Sequence, residues 1–210
     1  FLLQQMIEKL ELLKKSRFIE LFSNSNQKKI DDCCELYNGD RGKNYPSAND
    51  RTEIGIPFIN AGNLNGKNIC FDGMQYISEK KYSQIKMGRV QYGDILYCLR
   101  GSLGKVGLVN FDEGIIASSL VIIRCNKNKI LPEFLLSSLN TIEVKEQLKR
   151  ANNGSSQPNL SAASVKEYVI KCPQKKKKKE FVLFIKQIDK SKFLLQQMIE
   201  KLELLKKSRF

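Results

Sequence analysis

Apolar positions near the end of the chain fall on a helical period. Leu195, Met198, Leu202 and Leu205 follow alternating steps of three and four, and the same phase runs back through Phe181, Phe184, Ile188 and Ser191. Seven of these eight positions are apolar, which predicts a heptad-patterned helix from about Glu180 to the end. At 1.5 Å per residue it would be about 45 Å long. The segment FLLQQMIEKLELLKKSRF, Phe193 to Phe210 within this helix, also opens the chain as Phe1 to Phe18. There its stripe is Leu3, Met6, Leu10 and Leu13, and it continues through Phe18, Ile19, Leu21 and Phe22. A lone helix cannot bury such a stripe. The first helix enters the central body at its C-terminus and the second leaves it from its N-terminus, so the two are expected to lie antiparallel. Packing of both on the body itself is the plainer alternative. Both ends read as cut points in a longer protein, because the chain starts on Phe and stops inside a periodic segment.

Between these helices the period changes. GIPFIN, DILYCL, KVGLVN and SLVIIRC are short runs rich in Ile, Val, Leu and Tyr, bounded by Gly, Asn and Asp, and they read as strands and turns. One helix is predicted over Pro132 to Arg150, with Pro near its first position and basic residues at its end. A shorter one is predicted over about Ser161 to Glu167. The expected fold class is therefore α+β: a β-rich domain over 23–173, with a mostly antiparallel sheet for which a barrel is one option, flanked by long antiparallel coiled-coil-type helices over 1–22 and 174–210. The lysines Lys175 to Lys179 sit where the second helix begins and oppose its dipole. They read either as a solvated charge run or as an edge that meets phosphate.

Composition narrows the function. Lys and Arg number 36 against 22 acids, a net charge of +14, which points to a polyanion and first to nucleic acid. An AT-rich genome would also enrich Lys. The six cysteines form no C-x-x-C and there is no histidine, so a Cys/His zinc site is excluded and no metal or cofactor is expected. Cysteines in apolar runs suggest reduced, buried thiols and a cytoplasmic protein. No run of about 18 apolar residues exists to span a membrane.

Catalytic sets are missing from the sequence. GSLGKVG (Gly101 to Gly107) is glycine-rich but leads into a strand, not into the helix whose N-terminus would hold a phosphate. Without histidine no Ser-His or Cys-His nucleophile can form. Glu79 and Lys81 make an E-x-K of the kind found in metal-dependent nucleases, but lack the acidic partner upstream. Three polar loops suit DNA instead: GNLNGKN with Asn63 and Lys67, the glycine turn with Arg100, Ser102 and Lys105, and NNGSSQPN with Ser155, Ser156 and Gln157. Asn and Gln suit adenine edges, Arg and Lys suit guanine, and Ser and Lys suit phosphate.

Four stretches in order resemble the specificity subunit of type I restriction-modification enzymes. They are GIPFINAGNLNG (Gly55 to Gly66), GDILYCLRGSLGKVGLV (Gly93 to Val109), SLVIIRCNKNKILPEFLLSSLN (Ser119 to Asn140) and GSSQPNLSAASVKEYVIKCP (Gly154 to Pro173). QKKKKKE departs from the family's usual Pro-Leu-Glu-Glu-Gln-like start of the long helix. The resemblance implies that the duplicated segment is the tail of each of two conserved helices, with one target-recognition domain between them. The chain would then be about half of such a subunit. It further implies a non-catalytic protein that binds one part of a bipartite double-stranded DNA target, with methyltransferase (M) subunits received by the helices and a restriction (R) subunit joining the assembly. The helix interface would be Leu3, Met6, Leu10, Leu13, Phe184, Ile188, Leu195, Met198, Leu202 and Leu205, and it invites self-association. Two other readings stay open: a protein-interaction scaffold with little DNA affinity of its own, and a nuclease or methyltransferase, which the missing motifs disfavour.

Overall fold

The computed structural model describes residues 2–152 and 159–207. In chain order, α1 (Leu2–Phe22) leads to β1 (Gln27–Lys29), β2 (Cys34–Asn38), β3 (Arg51–Thr52), β4 (Ile56–Ile59) and β5 (Gln75–Ile77). The short α2 (Glu79–Gln84) precedes β6 (Ile95–Cys98), β7 (Val106–Leu108), β8 (Ile115–Ile116) and β9 (Leu120–Cys125). Then come α3 (Pro132–Leu139), α4 (Ile142–Ala151), α5 (Ala162–Lys166), β10 (Val169–Lys171) and α6 (Lys175–Lys207). The fold is α+β and divides into two compact units, Gln27–Ile170 and the pair Phe1–Asn26 with Lys171–Phe210.

In the larger unit one sheet has the order β2-β9-β6-β7 and is antiparallel throughout. A second has the order β3-β5-β4-β8, antiparallel except for the parallel pair β4–β8. β6 and the first four residues of β9 are buried at every position. They therefore read as continuous apolar runs, the pattern of strands covered on both faces. Leu96, Cys98, Leu120 and Ile122 share a core with Ile59 and Ile116 of the second sheet. Their neighbours Ile95, Tyr97, Val121 and Ile123 point to the opposite face, as strand alternation requires, and are buried too. There the Tyr97 ring meets Tyr168 edge-on at 6.2 Å.

One ion pair fixes where β6 begins. Asp94 is 1% exposed. Its carboxylate accepts from the Gln91 backbone N–H and, in bidentate fashion, from Nε and Nη2 of Arg124 on β9, each at 2.8 Å. The hydrogen-bonded carboxylate raises the Arg124 pKa, and the guanidinium also lies 4.8 Å from the centre of the Tyr37 ring on β2. Gly93 (φ +89°) makes the turn, in a conformation that side chains disfavour.

The single helix expected over Pro132 to Arg150 is two helices, α3 and α4, parted at Asn140 and Thr141. Local side chains compete for the backbone at that point. Ser137 and Ser138 hydroxyls donate to the carbonyls four residues back, Asn140 Nδ2 donates to Leu136 O, and Thr141 Oγ1 donates to Ser138 O. Such back-bonding favours helix ends over helix interiors.

The smaller unit is an antiparallel helix pair. Phe18 and Phe22 of α1 meet Phe181 of α6 edge-on, with ring centres 5.4 Å apart in both pairs. Further along, Lys14 pairs with Asp189 at 3.9 Å, and Glu11 pairs with Lys192. Numbers fall on one helix as they rise on the other. α6 begins at Lys175 rather than near Glu180, so the lysine run is its first turn and not a segment before it. Lysine is a good helix former, and Lys178 is buried with its ammonium 3.7 Å from Cys172 Sγ.

The seam departs by one residue from the expected phase. On α6 the buried or half-buried positions beyond Val182 are Phe184, Ile185, Ile188, Asp189, Lys192, Leu195 and Ile199, and on α1 they include Leu3, Ile7, Leu10, Glu11 and Lys14. Leu3, Leu10, Phe184, Ile188 and Leu195 of the expected interface are thus covered at least in part, whereas Met6, Leu13, Met198, Leu202 and Leu205 are exposed. Apolar doublets such as Leu194–Leu195, Met198–Ile199 and Leu204–Leu205 permit two phases one residue apart. The phase adopted places Lys192 and Asp189 against Glu11 and Lys14.

Asp94→Ala is expected to lower the unfolding free energy by about 3–5 kcal/mol, because it leaves the Arg124 charge without its partner. Denaturant unfolding followed by tyrosine fluorescence measures this.

Candidate nucleic-acid interface

The glycine turn joins β6 to β7 as a hairpin whose tip carries Arg100, Ser102 and Lys105. Gly101 (φ +77°) and Gly104 (φ +75°) make it tight, and Gly104 N–H donates to Cys98 O at 3.0 Å. A side chain at Gly104 would come within 2.5 Å of Leu148 on α4, so the hairpin lies directly against that helix. Arg100 and Ser102 are exposed. Arg100 forms a β-bridge with Asn159 and donates from Nε to Asn159 Oδ1 at 3.2 Å, while the preceding Leu99 O accepts from Leu160 N–H at 2.9 Å. The hairpin is thereby stitched to the last residue of the NNGSSQPN loop and to Leu160 after it. Ser155, Ser156 and Gln157 of that loop lie outside the described residues.

The first polar loop is built for its own folding. Asn63 is 2% exposed; its Oδ1 accepts from Asn60 N–H and its Nδ2 donates to Cys70 O. With both amide ends used inside, Asn63 holds the turn and presents nothing outward, which corrects its expected role in reading DNA. Asn65 Oδ1 accepts from Lys67 and Asn68 backbone N–H groups, and the loop lies along β7 through Gly66 N–H to Val106 O and Leu108 N–H to Lys67 O. Lys67 is half-buried there. Lys105 is half-buried as well, and its ammonium donates to Ala61 O at 3.2 Å, so it ties the hairpin to this loop. The structure thus joins Lys105 to the first loop and Arg100 to the end of the third.

A shallow groove of about 370 Å³ opens beside Arg100 and Asn159, and Asn38, Arg41 and Ser161 also line it. Arg41 is not among the residues expected from the sequence, although NGDRGK (Asn38 to Lys43) is as polar and glycine-rich as the three loops chosen. Its guanidinium is exposed, with one long bond of 3.4 Å to Ser118 O, and Asp40 Oδ1 fixes the turn beneath it by accepting from Gly42 N–H. Other arginines of this unit already have partners, Arg51, Arg89 and Arg150 at exposed positions. Arg124 holds Asp94, and Arg89 donates to the carbonyls of Ile85, Tyr82 and Ser83. Arg150 pairs with Glu146 and Arg51 lies over Phe58. Two arginines with outward faces on one polar groove form a surface suited to phosphate and base edges.

Cys98 and Tyr97 are both shifted away from ready ionisation. Burial raises the Cys98 pKa, and burial together with Tyr168 raises that of Tyr97 well above the usual phenol range. Lys81 of the E-x-K pairs with Asp50 at 3.1 Å, and Glu79 stands in the first turn of α2. Among the described residues no three cysteine, aspartate or glutamate side chains gather where they could hold a metal.

Residues 23–204 match the family model described as the type I restriction modification DNA specificity domain, and the chain belongs to this family. It is 26% identical over 163 residues to the Methanocaldococcus jannaschii protein named as type I restriction enzyme MjaX specificity subunit, covering 75% of this chain and 38% of that one. In fold it is similar to the HsdS subunit of Thermoanaerobacter tengcongensis, with a TM-score of 0.66 at 16% identity over 94% of this chain and 47% of that one. The S subunit of the M. genitalium Type-I restriction-modification system gives a TM-score of 0.68 at 15% identity, over 98% and 54% of the two chains. A chain from a study of complex assembly and conformational transition of the type I R-M system gives 0.69 at 15% identity, over 99% and 52%. The chain therefore spans about half, or less, of the length of these relatives.

Asn63→Ala is expected to cost about 1–3 kcal/mol of stability, since it strands a buried N–H and carbonyl. A thermal melt of the two proteins measures the difference.

Proposed function

We propose that the chain is the DNA-reading half of a type I specificity subunit, without catalytic activity of its own. In this reading residues 23–173 are the target-recognition domain and residues 1–22 and 174–210 are helices that set spacing and bind partners. The observation that carries it is the pairing of Arg41 and Arg100 on one polar groove, next to the NNGSSQPN loop, in a member of the specificity-domain family. Arg41 and Arg100 meet phosphate or guanine edges, and by residue type Ser155, Ser156 and Gln157 are further DNA-reading residues. Net charge of +14 supplies the sequence-independent part of the affinity.

The target is one part of a bipartite site. α6 has 33 residues, a length of about 50 Å, which equals about 15 base pairs at 3.4 Å each. Two recognition domains held apart by such helices leave an unread spacer between two read segments. Methyltransferase subunits dock on the helices, the restriction subunit joins through the complex, and the complex works in the cytoplasm. The fragment also self-associates through its helices, which would place two identical domains on an inverted repeat. A scaffold reading, with partner binding but little DNA affinity, is the alternative. The exposed apolar side chains Met198, Leu202 and Leu205 favour partner binding in either case.

Titration of a fluorescent duplex at several salt concentrations separates the two. Arg41→Ala and Arg100→Ala are each expected to weaken binding and to lower the slope of log K against log salt by about one. A slope near zero for the unaltered chain, or variants that leave it unchanged, would favour the scaffold.

A further inference from the structure

The two copies of FLLQQMIEKLELLKKSRF differ in what they touch. In the first copy Leu3, Ile7 and Leu10 are half-buried at the helix pair, Glu11 pairs with Lys192, and Lys14 pairs with Asp189. The same residues recur as Leu195, Ile199, Leu202, Glu203 and Lys206. Antiparallel to α6, α1 starts at Leu2 and runs out before the end of α6. Leu202, Leu204 and Leu205 are left between 51% and 66% exposed.

We infer that the second copy of one chain fits the α1 seat on α6 of another, and that α1 is an internal competitor for that seat. Because the copies are identical, whatever residues 2–15 of α1 satisfy on α6, residues 194–207 of a second chain satisfy equally. The seat itself includes Asp189, Lys192, Leu195 and Ile199, two of which belong to the second copy. The arrangement is therefore self-complementary. With Glu203 against Lys192 of the other chain, Lys206 falls against its Asp189, Leu195 falls beside its Ile199, and both sets repeat by two-fold symmetry. Such an isologous interface closes on a dimer. One continuous seam serves it, Ile188, Lys192, Leu195, Ile199, Leu202 and Lys206, at alternating steps of four and three. The Glu11 and Lys14 ion pairs and the packing of Leu3, Ile7 and Leu10 that each α1 gives up on leaving are remade by the second copy of the other chain. The Phe22–Phe181 contact is not remade, so it and tethering favour the closed chain. α1 is held at high effective concentration, and the dimer gains where protein concentration rises or the first copy weakens.

This deepens the helix-mediated association proposed above and rests on it. Charge reversal at the two copies distinguishes them, using the full chain in sedimentation velocity over a range of concentrations. Glu203→Lys with Lys206→Glu leaves the α1 pairs intact and is expected to weaken the dimer about ten-fold or more. Glu11→Lys with Lys14→Glu, the same change in the first copy, is expected to strengthen it by a similar factor. Adding Asp189→Lys and Lys192→Glu to the first pair restores complementarity between chains while repelling α1, and is expected to give the tightest dimer. Two reversals that shift association in the same direction, or shift nothing, would overturn the seat while leaving helix-mediated association standing. A chain that stays monomeric in every variant at about 100 µM would overturn both.

Discussion

The larger unit depends on burying β9 on both faces. Leu120, Val121, Ile122 and Ile123 have almost no exposure, and β9 is paired with β2 on one edge and β6 on the other. Only residues apolar at every position tolerate that environment, and such burial contributes roughly 1.5–3 kcal/mol for each large side chain. With β9 fixed, β6 is fixed in register, and so is the hairpin that follows it. Leu99 is held by Ser119 O and in turn holds Leu160 N–H, which sets Arg100 beside Asn159. Placement of the groove beside Arg100 is thus a consequence of core packing several residues away. Asp94 and Arg124 complete the same frame from the other end of β6.

The helix pair obeys a different constraint. Each helix has more apolar residues than one partner can cover, as the exposed Leu12, Leu13, Met198 and Leu202 show. Hydrophobicity alone accepts either of two phases, and partly buried charge selects between them. Lys192 and Asp189 are poor seam residues by composition, yet they stand against Glu11 and Lys14, and the pairing decides which face turns inward. The same logic makes the repeated segment more than a duplication. Two identical sequences in one chain address the same complementary surface.

Much of the fold is legible in the sequence because burial writes a plain pattern. DILYCL, KVGLVN and SLVIIRC are strands β6, β7 and β9, and the two flanking helices lie antiparallel. The break between α3 and α4 is hidden although SSLNT spells it, since apolar periodicity continues across the break while hydroxyl and amide groups end the helix. Site residues are less legible. Residue type marks Asn63 and Lys105 as outward-facing, but an amide and an ammonium serve equally well to cap a turn or to tie two loops together, and only tertiary packing decides. The loop of Arg41, NGDRGK, carries the same polar and glycine-rich signal as the three loops chosen, but nothing along the chain announces that it shares a groove with Arg100.

Sequence-specific DNA reading by the central domain is the claim on which the functional account stands. Selection of bound duplexes from a random pool, with the full chain as bait at moderate salt, tests it most directly. The account predicts enrichment of one short segment, alone or as an inverted repeat with a constant unread spacer. Recovery of duplexes with no common segment, after rounds of selection that do retain DNA, would contradict it.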